Sequence, residues 1–248
     1  MTLNHDVTGP EGAPVLLVGP SLGTTLHMWD PQLDALAAHF RVLRYDHLGH
    51  GGSPVPPGPY TVDQLADEVL ALVDGVDRFS YVGLSLGGMV GMVIAARQPE
   101  RVGRLALVCT SARLPPESGY RERAATVRSQ GTAAISEVAV SRWFTPAFTD
   151  TEPYAAMLAA TPDEGYAGCC EAIADMDIRS RLPAITAPTL VIAGELDPAT
   201  PPEHGKLIAD AVPDARLAVL PQASHLANVE RPDEVTGLLL EHLVGGVA

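Results

Sequence analysis

Short, nearly uninterrupted apolar runs recur along this chain: Val15-Leu16-Leu17-Val18, Phe79-Ser80-Tyr81-Val82, Leu105-Ala106-Leu107-Val108-Cys109, Thr189-Leu190-Val191-Ile192-Ala193, and a last one from Arg216 to Leu220. Arg41 to Tyr45 reads as a further strand. Each run has the length of a strand and lacks the alternation of a sheet with one wet face, so both faces must be covered. Segments of helical spacing lie between them. Asp30 to Ala38 offers Asp30 as N-cap and Pro31 at the first helical position, and Thr61 to Val73 offers Thr61 as N-cap with Leu65, Val69 and Leu72 on one face. Met89 to Arg97, Pro202 to Ala211 and Pro232 to Leu243 complete the set. Buried strands alternating with helices predict an α/β fold with a mostly parallel sheet and helices on both faces. From about Arg113 to Pro183 the alternation stops. Helical patches and the aromatics Trp143, Phe144, Phe148 and Tyr154 appear there, with no convincing strand. The stretch is too long for a structureless loop. It predicts a helical lid insertion, residues 113–183, over the C-terminal edge of a sheet built from residues 1–112 and 184–248.

One strand-to-helix junction is chemically distinctive. Gly83-Leu84-Ser85-Leu86-Gly87-Gly88 places a serine on the turn, with glycine two residues before and two after. In so tight a turn side chains would collide with neighbouring backbone, and glycine relieves the clash. The turn lifts the Ser85 hydroxyl clear of the strand. The start of the next helix sets the Leu86 N–H and a partial positive charge beside it.

A serine nucleophile needs a base to take its proton and an acid to orient that base. The strand ending at Ala193 runs into Gly194-Glu195-Leu196-Asp197-Pro198. Asp197 is the favoured acid, because its spacing from Gly194 gives the loop room to turn. Glu195 is its rival. His225, in Pro221-Gln222-Ala223-Ser224-His225-Leu226, is the one histidine between the final strand and the final helix, and so the candidate base. His5, His39 and His242 look peripheral, His204 falls on a surface helix, and His50 reads as a turn histidine packed on the core. An acyl-transfer intermediate needs two N–H donors aimed at its oxyanion. Leu86 is one candidate. Leu22, in Gly19-Pro20-Ser21-Leu22-Gly23-Thr24-Thr25 after the first core strand, is the other.

Charge and cysteine usage narrow the partners. The 248 residues carry a formal net charge of −14, and Lys206 is the only lysine. Nucleic acid and anionic membranes require a basic face, so neither is expected as a partner. No apolar segment reaches the length of a membrane span, and the N-terminus lacks the pattern of a signal peptide. Cys109, Cys169 and Cys170 form no disulfide framework and no metal spacing, and the adjacent pair reads as two small apolar residues. A cytoplasmic location is the expectation.

With these residues in place, the chain resembles the α/β hydrolases over nearly its full length, and within them the 3-oxoadipate enol-lactonases of the β-ketoadipate pathway. The likeness rests on Ser21-Leu22-Gly23-Thr24-Thr25-Leu26-His27-Met28-Trp29, the junction Gly83 to Met89, Arg142-Trp143-Phe144-Thr145-Pro146-Ala147-Phe148, and Gly165-Tyr166-Ala167-Gly168-Cys169-Cys170-Glu171-Ala172-Ile173. Three departures stand out: Pro20 where many relatives have His or Asn, His47 in place of an arginine, and Ser224 in place of a glycine before the histidine. The resemblance implies a catalytic triad of Ser85, Asp197 and His225 and an oxyanion hole of Leu22 and Leu86. It implies a small lactone carboxylate as substrate, with no metal or organic cofactor. Trp143 is the candidate lid contact for substrate, or else an aromatic that pins the lid. Arg142, Arg179 and backbone N–H groups compete for the substrate carboxylate. Other carboxylesterases, perhydrolases and carbon–carbon hydrolases share the triad, and a non-catalytic small-molecule-binding protein could keep the same pocket.

Overall fold

The computed structural model of the protein describes residues 2–245. Its strands are β1 (His5–Thr8), β2 (Val15–Gly19), β3 (Arg41–Tyr45), β4 (Phe79–Leu84), β5 (Val102–Val108), β6 (Thr189–Gly194) and β7 (Ala215–Leu220). They form one sheet in the order β1-β3-β2-β4-β5-β6-β7. β1 runs antiparallel to β3, and the other pairs are parallel. The apolar strands lie where their sequence places them. β1 was not anticipated, because its residues are half-buried or exposed and form no apolar run. An ion pair from Arg44 of β3 to Asp6 of β1, at 2.6 Å, fastens this edge.

Helices α1 (Asp30–Ala37), α2 (Val62–Ala71) and α3 (Leu86–Arg97) follow β2, β3 and β4. α8 (Pro202–Ala211) follows β6, while α9 (Ala227–Glu230) and α10 (Pro232–Val244) follow β7. α1, α9 and α10 pack together on one face of the sheet, and α2, α3 and α8 belong to the other. Leu86 through Ala95 of α3 are all buried, as a helix apolar on every side must be. Thr61 caps α2 by accepting from the Gln64 N–H at 3.0 Å. Asp30 does not cap α1. It is the first helical residue, and its carboxylate instead meets the buried Arg44. His242 is buried rather than peripheral, with its Nε2 hydrogen-bonded to the Leu105 carbonyl at 3.0 Å.

Between β5 and β6 the chain forms α4 (Glu117–Gln130), α5 (Ser136–Val140), α6 (Glu152–Ala159) and α7 (Asp163–Asp175), with no strand among them. α4 packs on α7, tied by Arg128 to Glu164 at 2.8 Å and to Glu171 at 2.6 Å. These helices cap the C-terminal edge of the sheet. The Thr25 N–H donates to Met157 Sδ of α6 at 3.1 Å, and the Cys169 thiol of α7 lies 3.6 Å from the Leu48 carbonyl. The strand order reverses at β2 and β4: from β2 the chain moves to β3 on one side and then returns to β4 on the other. Such a switch leaves a crevice at the C-terminal strand ends, where open α/β sheets bind ligands.

Candidate active site

Ser85 sits at that crevice, directly after β4, with φ +54° and ψ −113°. The conformation is strained for a non-glycine residue and is held on both sides: the Ser85 N–H donates to the Val108 carbonyl at 2.9 Å, and its own carbonyl accepts from Thr110 Oγ1 at 2.7 Å. A Cβ at Gly83 would lie 2.3 Å from the Gly87 carbonyl oxygen, and one at Gly87 would lie 2.4 Å from that of Gly19. The glycines thus let the elbow and the β2 end touch. Cys109 and Gln222 are the other non-glycine residues at positive φ among those described, and they follow β5 and β7. Strain concentrates along the one edge that carries the candidate residues.

The loop after β2 packs against the start of α3, where the Gly87 N–H donates to the Pro20 carbonyl at 3.0 Å. Leu22 and Leu86 are both buried, and neither backbone N–H has an acceptor among the described residues. Amide donors without a partner at buried residues are uncommon, and this pair, Leu86 directly after the candidate nucleophile and Leu22 in the loop packed on α3, matches what an oxyanion hole requires. The loop conformation is set from beneath by groups that the sequence reading did not assign to it. His47 Nε2–H donates to the Pro20 carbonyl at 2.8 Å. His50 Nε2 accepts from the Gly23 N–H at 3.0 Å, which puts its proton on Nδ1, facing the Leu48 carbonyl at 3.3 Å. Asp46 Oδ1 accepts from the Leu26 N–H at 2.8 Å. Burial keeps both imidazoles neutral. It lowers His47 to about 3, helped by repulsion from His50, and lowers His50 to about 4. The Pro20 and His47 departures therefore form one contact. The signal for it was the compact turn Asp46-His47-Leu48-Gly49-His50 itself.

Asp197 and His225 meet across the ends of β6 and β7. His225 Nδ1–H donates to Asp197 Oδ2 at 2.8 Å, leaving Nε2 with the lone pair. The Asp197 carboxylate also accepts from the Thr200 hydroxyl at 2.6 Å, the Thr200 N–H at 3.0 Å and the Ala199 N–H at 2.8 Å. Burial by itself would raise Asp197. The electrostatic pull of the adjoining His225 ring and the hydrogen bonds from His225 and Thr200 outweigh it and hold the carboxyl below its ordinary value. Glu195, the rival acid, is exposed and accepts from the Gln222 N–H at 3.1 Å. A residue missed in the sequence is Glu230. One of its carboxylate oxygens takes the N–H and hydroxyl of Thr145, while the other takes the Ser224 N–H at 2.7 Å. With the Leu226 N–H donating to the Trp143 carbonyl at 2.9 Å, it clips the cap to the histidine loop. Its spacing five residues after His225 was the available clue.

Trp143 is buried, at 7% exposure, and lines a cavity of about 390 Å³ between the cap and the Asp197 loop. A second cavity, of about 550 Å³, lies outside the histidine loop against Thr145, Phe148 and Glu230. Arg179 is taken by Asp177 at 2.6 Å and does not face either cavity, whereas Arg142 lines the smaller one. Cys109, Cys169 and Cys170 are buried free thiols, and burial pushes Cys170 up to about 12. Among the described residues no three His, Cys, Asp or Glu side chains cluster to hold a metal ion, and no helix is long and apolar enough to cross a membrane.

Comparison with known proteins bears on the family and the fold. A sequence profile described as the alpha/beta hydrolase family matches residues 15–238. The chain is 38% identical to 3-oxoadipate enol-lactonase 2 of Acinetobacter baylyi, over 94% of this chain and 89% of that one. It superposes on the crystal structure of the enol-lactonase from Burkholderia xenovorans LB400 with a TM-score of 0.94 and 41% identity, covering 98% of this chain and 96% of that one. It is also 33% identical to a Stutzerimonas stutzeri protein named "Putative carbamate hydrolase RutD", over 93% and 92% of the two chains.

Proposed function

The chain belongs to the alpha/beta hydrolase family, and we propose that within it this protein is a serine hydrolase that opens 3-oxoadipate enol-lactone to 3-oxoadipate. The observation that carries the reading is the buried Asp197–His225 pair set along the same strand edge as the strained Ser85 and two unpartnered N–H groups. Similarity to enol-lactonases along both chains, cap included, supports the choice of substrate. The buried free thiols fit a reducing, cytoplasmic setting.

In this mechanism Ser85 Oγ attacks the lactone carbonyl as His225 Nε2 takes its proton. The Leu22 and Leu86 N–H groups hold the oxyanion, and Asp197 keeps the His225 tautomer and stabilises the imidazolium. Collapse breaks the ring C–O bond. The enolate oxygen leaves, still tethered to the acyl group, receives the proton from His225, and the enol tautomerises to the ketone. Water then adds to the acyl-enzyme as His225 takes one of its protons. The Ser85 ester bond breaks, Ser85 recovers that proton, and the new carboxyl ionises. Residues 113–183 act as the lid and Trp143 as a substrate contact.

The test is loss of the ultraviolet absorbance of freshly generated enol-lactone, with S85A and a simple aryl ester as controls. Fast loss that requires Ser85 and outpaces ester cleavage is expected. Ester cleavage without lactone turnover would refute the substrate and leave the nucleophile. The similarity to a protein named as a carbamate hydrolase favours one second reading, attack by the same triad on a carbamate carbonyl. Ammonia release from a simple carbamate would reveal it.

A further inference from the structure

Within the cap region of this chain of net charge −14, two arginines differ from their neighbours in having no carboxylate partner. Within the cap region Arg113, Arg121, Arg128, Arg179 and Arg181 each form an ion pair with Asp or Glu. Arg123 and Arg142 form none among the described residues. Both line the same cavity of about 390 Å³, and no Asp or Glu lines it with them. Arg123, on α4, is half-buried, with its guanidinium 5.1 Å from the Tyr120 ring centroid and the Tyr166 phenol close by. A guanidinium drawn partly out of water without a counter-charge is costly unless an anion arrives to meet it. Its planar fork matches a carboxylate in bidentate fashion.

The cavity lies beside the loops that carry two of the candidate catalytic groups, although Ser85, Asp197 and His225 do not themselves line it. Pro198 and Ala199 on its wall directly follow Asp197, and Trp143 on its wall is tied through its carbonyl to Leu226, beside His225. Of the other cavities, the one of about 550 Å³ presents Glu230 together with Arg231, which is already beside Glu234, and one of about 400 Å³ that holds Arg78 and Arg104 lies at the opposite, N-terminal ends of the strands.

We propose that Arg123 and Arg142 form the anion-binding end of the substrate pocket, selecting acyl substrates that carry a free carboxylate distal to the scissile carbonyl. The proposal rests on the reading of Ser85 as nucleophile and adds what recognises the far end of the substrate. In an enol-lactone of a six-carbon keto-diacid the reacting carbonyl and the free carboxylate stand at opposite ends of the chain, so the carboxylate needs a receiver away from Ser85.

The test compares kcat/KM for two aryl esters of equal acyl length: 4-nitrophenyl valerate, which is neutral, and the mono-4-nitrophenyl ester of glutaric acid, which is anionic. Wild type is expected to prefer the anionic ester. The anionic-to-neutral ratio falls about 10- to 100-fold in R123M and in R142M, chiefly through KM, the range for losing a charge-assisted hydrogen bond. R123K, which keeps the charge and loses the fork, falls between. If R123M does not fold, R142M decides, because that side chain is exposed. An unchanged ratio in R142M and in every folded Arg123 variant overturns the proposal. A fallen ratio with no lactone turnover removes the lactonase reading and leaves the anion site. Lactone turnover with an unmoved ratio does the reverse.

Discussion

Acid should weaken this protein through two histidines before it reaches the carboxylates. His47 and His50 are fully buried and held neutral, lowered to about 3 and about 4. In the unfolded chain each takes up a proton near pH 6.5. Below that value the unfolded state binds more protons than the folded one, so stability falls as pH falls, by about 1.4 kcal/mol per unit for each group. Between pH 7 and pH 5 this amounts to about 2 kcal/mol per histidine and about 4 kcal/mol for the pair. The loss continues until the folded-state values are reached. Urea unfolding followed by fluorescence of Trp29 and Trp143 at pH 7, 6 and 5 measures it, with H50Q as the comparison. The variant should lose about 2 kcal/mol less than wild type across that interval, whatever its absolute stability. Parallel pH curves for H50Q and wild type would refute the assignment of His50 as a neutral acceptor for the Gly23 N–H.

Three further outcomes follow from particular contacts. D197N should retain fold and substrate affinity while kcat drops about 10³- to 10⁴-fold, because the amide cannot hold the required tautomer; near-normal turnover would exclude the His225–Asp197 pair from the chemistry. E230A strips acceptors from Thr145 and the Ser224 N–H and should cost about 2–4 kcal/mol in unfolding free energy, with a lowered kcat, whereas a fall in neither would show that the clip is dispensable. Gly23 has φ +76°, and a Cβ there would lie 2.5 Å from Leu158, so G23A should lower kcat and Tm together; wild-type kcat in G23A would mean that the Leu22 N–H is not needed.

Local rules make much of this protein legible in the chain itself. Runs of strand length with turn residues at their ends locate β2 through β7 to within about three residues; β2, β4, β5 and β6 are largely apolar because both faces are covered, whereas β3 holds Arg41 and Arg44 and β7 is a partly exposed edge strand, not one covered on both faces. The Gly-x-Ser-x-Gly junction and the loops after β6 and β7 are likewise chain-local signals, and they lead to Ser85, Asp197 and His225 as candidates. What needed the tertiary structure were pairings between distant segments. Asp197 and Glu195 stand two residues apart with similar chemistry, and only the path of the loop after β7 puts Asp197 against His225 and leaves Glu195 in solvent. β1 carries no apolar signature, since it is an edge strand held by an ion pair from β3. His242 looks peripheral in the sequence, and nothing there names the partners of His47 and His50, yet each is buried on a different carbonyl or amide that the fold brings to it. Arg123 differs from its ion-paired neighbours only because α4 turns it toward a cavity without a carboxylate. Periodicity and turn chemistry act over a few residues and so can be read from the chain alone. Counter-charges and hydrogen-bond partners are supplied by residues dozens to hundreds of positions away, and packing decides which ones arrive.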